Sequence, residues 1–481
     1  MAALAALATP ADAREISSRN LGYAAMLGVA FGLGANVVAL RFVPDVVARF
    51  TPLPWVAGAA ALVLLGLEQG LRWGGALVVR SALASLGVPA SFAFAVGVTL
   101  GTFIPAVFPW SAAGGVTPIP EMVQLAELIG ERGVTFLMAL SAGFLASGWR
   151  AFRSDADRQR ALACATGALA IPLATFVQGR ARIASIEAAR AHAPVAHVAL
   201  LQPATGALDR WDRSRAPDIL AKLTAGTLRA EHAGAELTIW PEAAYPYPVA
   251  HATRRCPVGY SAILPVGVRG PVLTGLLMTG GHGDLWNAAA ICQTDGTLTP
   301  PQDKVHLLWF GESLPVIDAI PWVRDTFSRG TGMVAGAGVA VQVTGRVRAS
   351  VLNCFEDTLP AAGREAMSGA PNLLVNVTND AWFAGSAESE LHLRLAVLRA
   401  IESRRDLVRA VNLGVTSWVD AAGVIRARTT GEAATVLSVT PVLLESAPTL
   451  FDRAGDVPLL LLLALGSVGM TAYKREKGAP R

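Results

Sequence analysis

The chain has 481 residues, of which 53% are hydrophobic and only 16% charged, against about 25% charged in an ordinary soluble domain. That balance, with a mean hydropathy of +0.45, excludes a wholly soluble multidomain protein and places part of the chain in lipid. The formal net charge of +4 sits on basic residues that are thinly spread and gather beside apolar runs, which is a topology signal and excludes a nucleic-acid-binding stripe.

Residues 1 to 20 lack the apolar core of a cleavable signal peptide and read as a cytoplasmic N-terminus carrying Arg14 and Arg19. A crossing takes about 20 apolar residues. The runs at about 21 to 42, 54 to 71, 90 to 109, 133 to 149 and 161 to 178 qualify, so residues 21 to 180 are expected to hold about five transmembrane helices. The stretch from Pro54 to Gly87 admits one long helix or two crossings. One crossing puts Arg72 and Arg80, then Arg150, Arg153, Arg158 and Arg160, on the cytoplasmic side, whereas two would put the four-Arg loop outside, against the positive-inside rule. Trp55, Trp110 and Trp149 stand at the ends of these runs, as interfacial anchors do. An odd number of crossings leaves the following segment outside. A last run at 456 to 473 returns the chain, with Lys474-Arg475-Glu476-Lys477 holding the tail, 474 to 481, in the cytoplasm.

Residues 194 to 445 read as an α/β sheet domain of ordinary single-domain size. Strands are expected at 196 to 202, 236 to 240, 262 to 268, 272 to 279, 287 to 293, 347 to 353, 372 to 378 and 408 to 411, with amphipathic helices between them, notably at about 387 to 405. Cys164, Cys256, Cys292 and Cys354 form no Cys-x-x-Cys pair and have no His at metal-ligand spacing, so neither a zinc site nor a disulfide scaffold is indicated. Of 40 basic residues only Lys222, Lys304, Lys474 and Lys477 are lysines. A lysine inside the sheet domain therefore asks what arginine could not supply.

Three chemical groups stand at or just after expected strand ends, where α/β proteins build sites. Glu242 closes Leu237-Thr238-Ile239-Trp240-Pro241-Glu242, Lys304 lies in Gln302-Asp303-Lys304-Val305-His306-Leu307, and Cys354 ends Ser350-Val351-Leu352-Asn353-Cys354. A carboxylate to take a proton, an ammonium to hold developing negative charge and a thiol to attack make a nucleophilic acyl-transfer centre. A cysteine after a strand, at a helix N-terminus and near lysine is expected to have a lowered pKa. Each residue also has a plainer reading: Cys354 as a small buried hydrophobe, Glu242 as a helix N-terminal acid and Lys304 as a solvated loop charge. Two motifs are decoys. Gly330-x-Gly332-x-x-Ala335 imitates a dinucleotide fingerprint without the strand before it or the helix after it, and Asn376-Val377-Thr378 fits a glycosylation triplet inside an expected buried strand.

These segments resemble the Glu-Lys-Cys triad of the nitrilase superfamily, and with the membrane frame they resemble the bacterial apolipoprotein N-acyltransferases. The likeness runs from about residue 90 to 473. It includes Trp240-Pro241-Glu242-Ala243-Ala244, Lys304 to Glu312, Asn353-Cys354-Phe355-Glu356, Asn379-Asp380-Ala381-Trp382-Phe383, Arg399-Ala400-Ile401-Glu402 and Val408-Arg409-Ala410-Val411-Asn412. In the membrane part, Phe108-Pro109-Trp110 and Gln124-Leu125-Ala126-Glu127 also fit. Trp309 departs from the family's proline and Leu391 from its glutamine, Leu201-Gln202-Pro203 is a weak version of its Gln-Gly-Asn, and the chain's six expected helices are fewer than the family's usual eight.

The resemblance implies an α-helical transmembrane bundle plus a nitrilase-like αββα sandwich outside the cytoplasm, in a multi-pass protein of the cell inner membrane with a periplasmic catalytic domain. It implies that Glu242 is the general base, Lys304 the oxyanion stabiliser and Cys354 the nucleophile, with Glu312 and Glu356 as supporting acids. Trp211 matches an aromatic near the substrate, against simple domain packing, and the Trp309-Phe310 and Trp382-Phe383 loops look suited to lipid. The implied reaction moves a fatty acyl group from a phospholipid donor to the N-terminal diacylglyceryl-cysteine of an apolipoprotein acceptor, through a cysteine thioester and with no metal, cofactor or nucleic acid. The alternative is a membrane-tethered carbon-nitrogen hydrolase that uses the same triad with water as acceptor. A non-catalytic scaffold or channel would need the triad to be chance, and membrane runs with few ionisable residues speak against a transporter.

Overall fold

The computed structural model describes residues 1, 4–5, 18–153, 158–309, 311–313 and 332–478. Arg14 and most of the N-terminal segment, Phe310 and Gly330 lie outside the described residues. The chain forms two units. One comprises Met1–Arg49, Leu53–Ile183 and Arg453–Arg481, the other Phe50–Pro52 and Ala184–Asp452.

The first unit is helical. Among the described residues, five helices are long and apolar enough to cross a membrane, within Ser18–Ala39, Trp55–Ser85, Ala126–Arg153, Arg158–Arg190 and Val457–Gly478. Their outward faces carry Leu64, Leu145, Leu169, Leu173 and Leu465, all exposed, a distribution that is stable against lipid tails and not against water. Trp55–Ser85 is one unbroken helix of 31 residues. It lies against Ser18–Ala39 through Gly66, Gly70 and Gly74; a β-carbon on Gly70 would stand 2.9 Å from the Val29 carbonyl oxygen, so small residues at four-residue spacing set the backbone approach. The expected run at 90 to 109 is corrected: its helix is Ala90–Gly101, only 12 residues, or about 18 Å at 1.5 Å per residue. Beyond it, Pro105 and Pro109 remove two backbone donors that a longer helix needs.

The second unit is an αββα sandwich. Its first sheet has the order β13-β1-β2-β4-β5-β6, with β3 beside β4, and its second the order β12-β11-β10-β9-β8-β7. The strands are β1 Val198–Gln202, β2 Leu237–Ile239, β3 Val249–Ala250, β4 Val272–Thr279, β5 Leu285–Cys292, β6 Gln302–Asp303, β7 Gln342–Thr344, β8 Val347–Asn353, β9 Leu373–Thr378, β10 Leu407–Val411, β11 Ser417–Val419, β12 Ile425–Arg428 and β13 Thr435–Val439. Alternate residues point between the sheets: Val198, Leu200, Leu237 and Ile239 from one, and Val347, Ala349, Val351, Leu373, Val375, Val408 and Ala410 from the other, form one core, as the two-residue period of a strand requires. On its outer face the first sheet packs Leu201 and Leu276 with Ile219, Leu220 and Leu223 of the helix Ala216–His232. Pro360–Ala366 and Glu388–Ser403 are the helices of the second sheet.

Two expectations fail here. Residues 262 to 268 are turns, because Pro265 has no N–H to give a ladder and Gly267 takes φ +94°; Val266 projects fully exposed. Cys256 and Cys292 are joined in a disulfide with Cα atoms 5.7 Å apart. Their separation of 36 residues left no spacing signal. The turn after β5 brings them together, with Cys292 bridging Leu298 and Arg255 bridging Thr297.

Candidate active site

Glu242 follows the end of β2, where Ala243 takes φ +44°. β4 runs parallel beside β2, and Gly275 lets the turn approach: a β-carbon there would meet Ala243 N at 2.2 Å and Pro241 O at 2.4 Å. Lys304 follows β6, with its N–H donating to the Asn287 carbonyl at 2.8 Å and its own carbonyl accepting from Gly336 N at 2.8 Å. Cys354 follows β8 and opens the 3-10 turn Cys354–Thr358.

The structure brings Glu242, Lys304 and Glu312 into one buried cluster. Lys304 Nζ donates to Glu312 Oε1 at 2.7 Å and to Glu242 Oε1 at 3.3 Å, and the lysine is 1% exposed. Glu312 is held by Leu308 N on its second oxygen at 2.9 Å. Sequence reasoning missed Asn287 on β5. Its Nδ2 donates to Glu242 Oε1 at 2.7 Å and to Glu312 Oε1 at 3.1 Å, so one amide spaces the two carboxylates that share the ammonium. An asparagine in an apolar strand gives no local signal of this. Burial works against the Lys304 charge, but Glu312 and Glu242 outweigh it and hold its pKa well above the usual lysine value.

Cys354 is a free, partly accessible thiol. The lowered pKa expected for it is corrected: desolvation by the surrounding protein, then the Glu242 charge, push the thiol well above its ordinary value, against the pull of Lys304. Sequence places a lysine near the cysteine but conceals how many carboxylates share the lysine. The resting sulfur is therefore a thiol, and any chemistry that needs a thiolate must first remove its proton. Glu356 is buried and ties the Cys354 turn to the lysine loop, accepting from Asn353 N at 2.8 Å, Val305 N at 2.8 Å and His306 N at 2.9 Å. Phe355 lies over Lys304 Nζ, 5.3 Å from ring centroid to nitrogen.

Trp211 stands apart from this cluster in a 3-10 turn, 41% exposed. Its neighbour Arg210, another residue the sequence reading passed over, feels the Glu242 charge, and burial lowers its pKa to about 10. Trp309 is exposed, while Leu307, Leu308, Trp382 and Phe383 are half-buried. Asp380, Glu388 and His392 bring three donor atoms within 4.8 Å of one another. His392 Nδ1 faces Asp380 Oδ1 at 3.3 Å and Glu388 Oε1 at 4.0 Å, and its Nε2 meets Asp357 Oδ1 at 2.6 Å, with Arg409 pairing to the same Asp357 at 3.1 Å.

Comparison with known proteins agrees with this geometry. Residues 197–446 match the carbon-nitrogen hydrolase family, and residues 1–144 match the apolipoprotein N-acyltransferase N-terminal domain. An apolipoprotein N-acyltransferase of Geobacter metallireducens is 30% identical over 455 residues, covering 90% of this chain and 83% of its own. The chain belongs to the apolipoprotein N-acyltransferase family. A family member from Bradyrhizobium diazoefficiens is also 30% identical, over 481 residues, covering 93% of this chain and 85% of its own. Among solved structures, an amidase from Nesterenkonia sp. gives a loose likeness at 18% identity and a TM-score of 0.38, covering 55% of this chain and 95% of its own. Family membership accounts for both parts of the chain, the apolar helices of the first unit and the sandwich of the second.

Proposed function

We propose that this apolipoprotein N-acyltransferase moves a fatty acyl group from a phospholipid to the α-amino group of a lipoprotein's N-terminal diacylglyceryl-cysteine, with Cys354 as the intermediate acyl carrier. The observation that carries the reading is the buried Glu242–Lys304–Glu312 cluster on Asn287, whose charges act on the Cys354 thiol. Glu242 takes the thiol proton as sulfur attacks the ester carbonyl of the phospholipid. Lys304 Nζ donates to the developing oxyanion, where a preformed cation in a dry site is most effective. The tetrahedral adduct collapses to the thioester and expels the lysophospholipid alkoxide, which takes the proton back from Glu242. The incoming amine then attacks the thioester and gives Glu242 a proton; collapse forms the amide and returns the proton to sulfur. Glu312 and Glu356 hold the lysine and the nucleophile turn, and Trp211 lies close enough in sequence to Arg210 to serve the substrate side.

The exposed Trp309 supports a lipid-facing mouth. The Cys256–Cys292 disulfide supports a periplasmic location for the second unit, since such bonds persist in oxidising compartments. The Arg-rich loops beside the apolar helices support an inner-membrane protein. The test is intact-mass analysis of the detergent-solubilised chain incubated with phospholipid alone. A stable acyl adduct on Cys354, absent from Cys354→Ala and discharged by a diacylglyceryl-cysteine peptide, is the expected result. Rapid release of free fatty acid that the peptide does not alter would establish the hydrolase instead.

A further inference from the structure

Cys354 takes φ +53°, a left-handed conformation that a β-carbon disfavours. The backbone that presents the sulfur is held against its own preference; Glu356 ties the turn to the Lys304 loop and to Asn353 N. A further tie comes from Asn376, fully buried on β9. β8 and β9 are parallel neighbours with Leu352 level with Asn376. The Asn376 amide spends both its donors on this turn: Nδ2 donates to the Leu352 carbonyl at 3.0 Å and to the Cys354 carbonyl at 2.8 Å. The two bonds straddle Asn353, where the ladder ends and the chain turns.

We propose that Asn376, oriented by Arg409 and Asp357, is the positioning residue that fixes Cys354 in its attacking conformation. The inference rests on the reading of Cys354 as nucleophile. Arg409 lies level with Asn376 on β10, and its Nε donates to Asn376 Oδ1 at 3.3 Å. A guanidinium can only donate, so it dictates which end of the amide is oxygen and keeps the NH2 aimed at the two carbonyls. The same Nε lies 3.1 Å from Asp357 Oδ2. Asp357 is the third residue after Cys354 and is held at its other oxygen by His392 from the helix Glu388–Ser403. His392 Nδ1 in turn faces Asp380 Oδ1 at 3.3 Å and Glu388 Oε1 at 4.0 Å. The nucleophile turn is thus tied at its first residue by Asn376 and at its fourth by Arg409 and His392.

Asn376, Arg409 and Asp357 are each 0% exposed, and the Arg409 Nη atoms have no hydrogen-bond partner among the described residues. Apolar residues of similar volume would fill such a layer without that desolvation. A network kept despite it is explained by what it aims.

The test uses the full chain in detergent, measuring single-turnover thioester formation from phospholipid per folded molecule, with KM and the fraction folded determined alongside. Asn376→Asp keeps the shape but removes both donors. Thioester formation is expected to fall about 100-fold, the scale of an ångström-sized misplacement of a reacting group, with KM nearly unchanged. Arg409→Lys, which keeps a donor and a charge, is expected to retain at least tenfold more activity than Arg409→Met, roughly one charge-assisted hydrogen bond. A wild-type rate per folded Asn376→Asp molecule, or equal rates for Arg409→Lys and Arg409→Met, would overturn the proposal, and the arginine pair decides it if Asn376→Asp does not fold. Failure of the underlying reading looks different: wild type would form no adduct, or Cys354→Ala would still form one.

Discussion

Lys304 reaches between two carboxylates on an unbranched stem, and that geometry answers why a chain with 40 basic residues places a lysine here. Its ammonium is a compact donor that can hold Glu312 and Glu242 and still turn a third hydrogen toward an oxyanion. A guanidinium would keep the charge but spread its donors in a plane and add volume where the side chain is 1% exposed. Lys304→Arg is therefore expected to lower thioester formation about 10²–10³-fold, as loss of an oxyanion donor does, when single turnovers are followed by mass spectrometry. A rate within tenfold of wild type would show that charge alone suffices. Sequence reading named Glu242, Lys304 and Cys354 from their places at strand ends, and Glu312 and Glu356 only through the family resemblance. It missed Asn287 and Arg210 because their roles depend on groups far along the chain, and it misjudged the Cys354 thiol because burial and carboxylate crowding are tertiary facts.

At the scale of elements, the strands that were legible are those buried on both faces. β4, β8 and β9 have nearly continuous burial and read directly from their apolar letters. β12, with the sequence Ile425-Arg426-Ala427-Arg428, is largely exposed, and β13 only half-covered, so neither stands out from a loop; residues 262 to 268 are apolar enough to mislead although Pro265 forbids the ladder. Gly275 shows a constraint that letters alone carry poorly. In β4 it reads as a weak point in a strand, yet it makes room for the turn bearing Glu242. Gly275→Ala is expected to destabilise the second unit by about 1–3 kcal/mol and to slow acylation at least tenfold in the molecules that remain folded, since the base must shift with its backbone. Melting curves and single-turnover rates on one preparation check this; an unchanged rate would mean that Glu242 tolerates the displacement.

For the whole molecule, the buried ionisable groups around Glu388–Ser403 set a pH dependence. Burial and the Asp380 charge raise Glu388 from its usual range to about 8. Burial opposes the charge on His392, but Asp357 and Asp380 outweigh it, raising the imidazole to about 10. Both groups bind protons more tightly folded than unfolded, so the stability they confer is full below the unfolded pKa and is lost as pH climbs through the folded one. Glu388 loses its share between about pH 4.5 and 8, and His392 its share between about 6.5 and 10. The thermal midpoint of the detergent-solubilised chain is expected to fall steadily from pH 6.5 to 10, with His392→Gln flattening the upper part of the slope. A midpoint that rises with pH over that range would contradict these protonation states.

The Cys256–Cys292 link has a consequence for the chemistry as well as for the fold. Where oxidants are plentiful, a reactive thiol is lost when an oxidant takes two electrons and joins it in a disulfide to whatever free thiol can fold back onto it. By pairing with each other, the two neighbours in the second unit withdraw from that competition, and Cys354 is left as the only free thiol among the described residues of that unit. On the reading proposed above, an acyl chain on Cys354 has no other free thiol among the described residues of that unit to migrate to, and the loaded carrier waits for an amine.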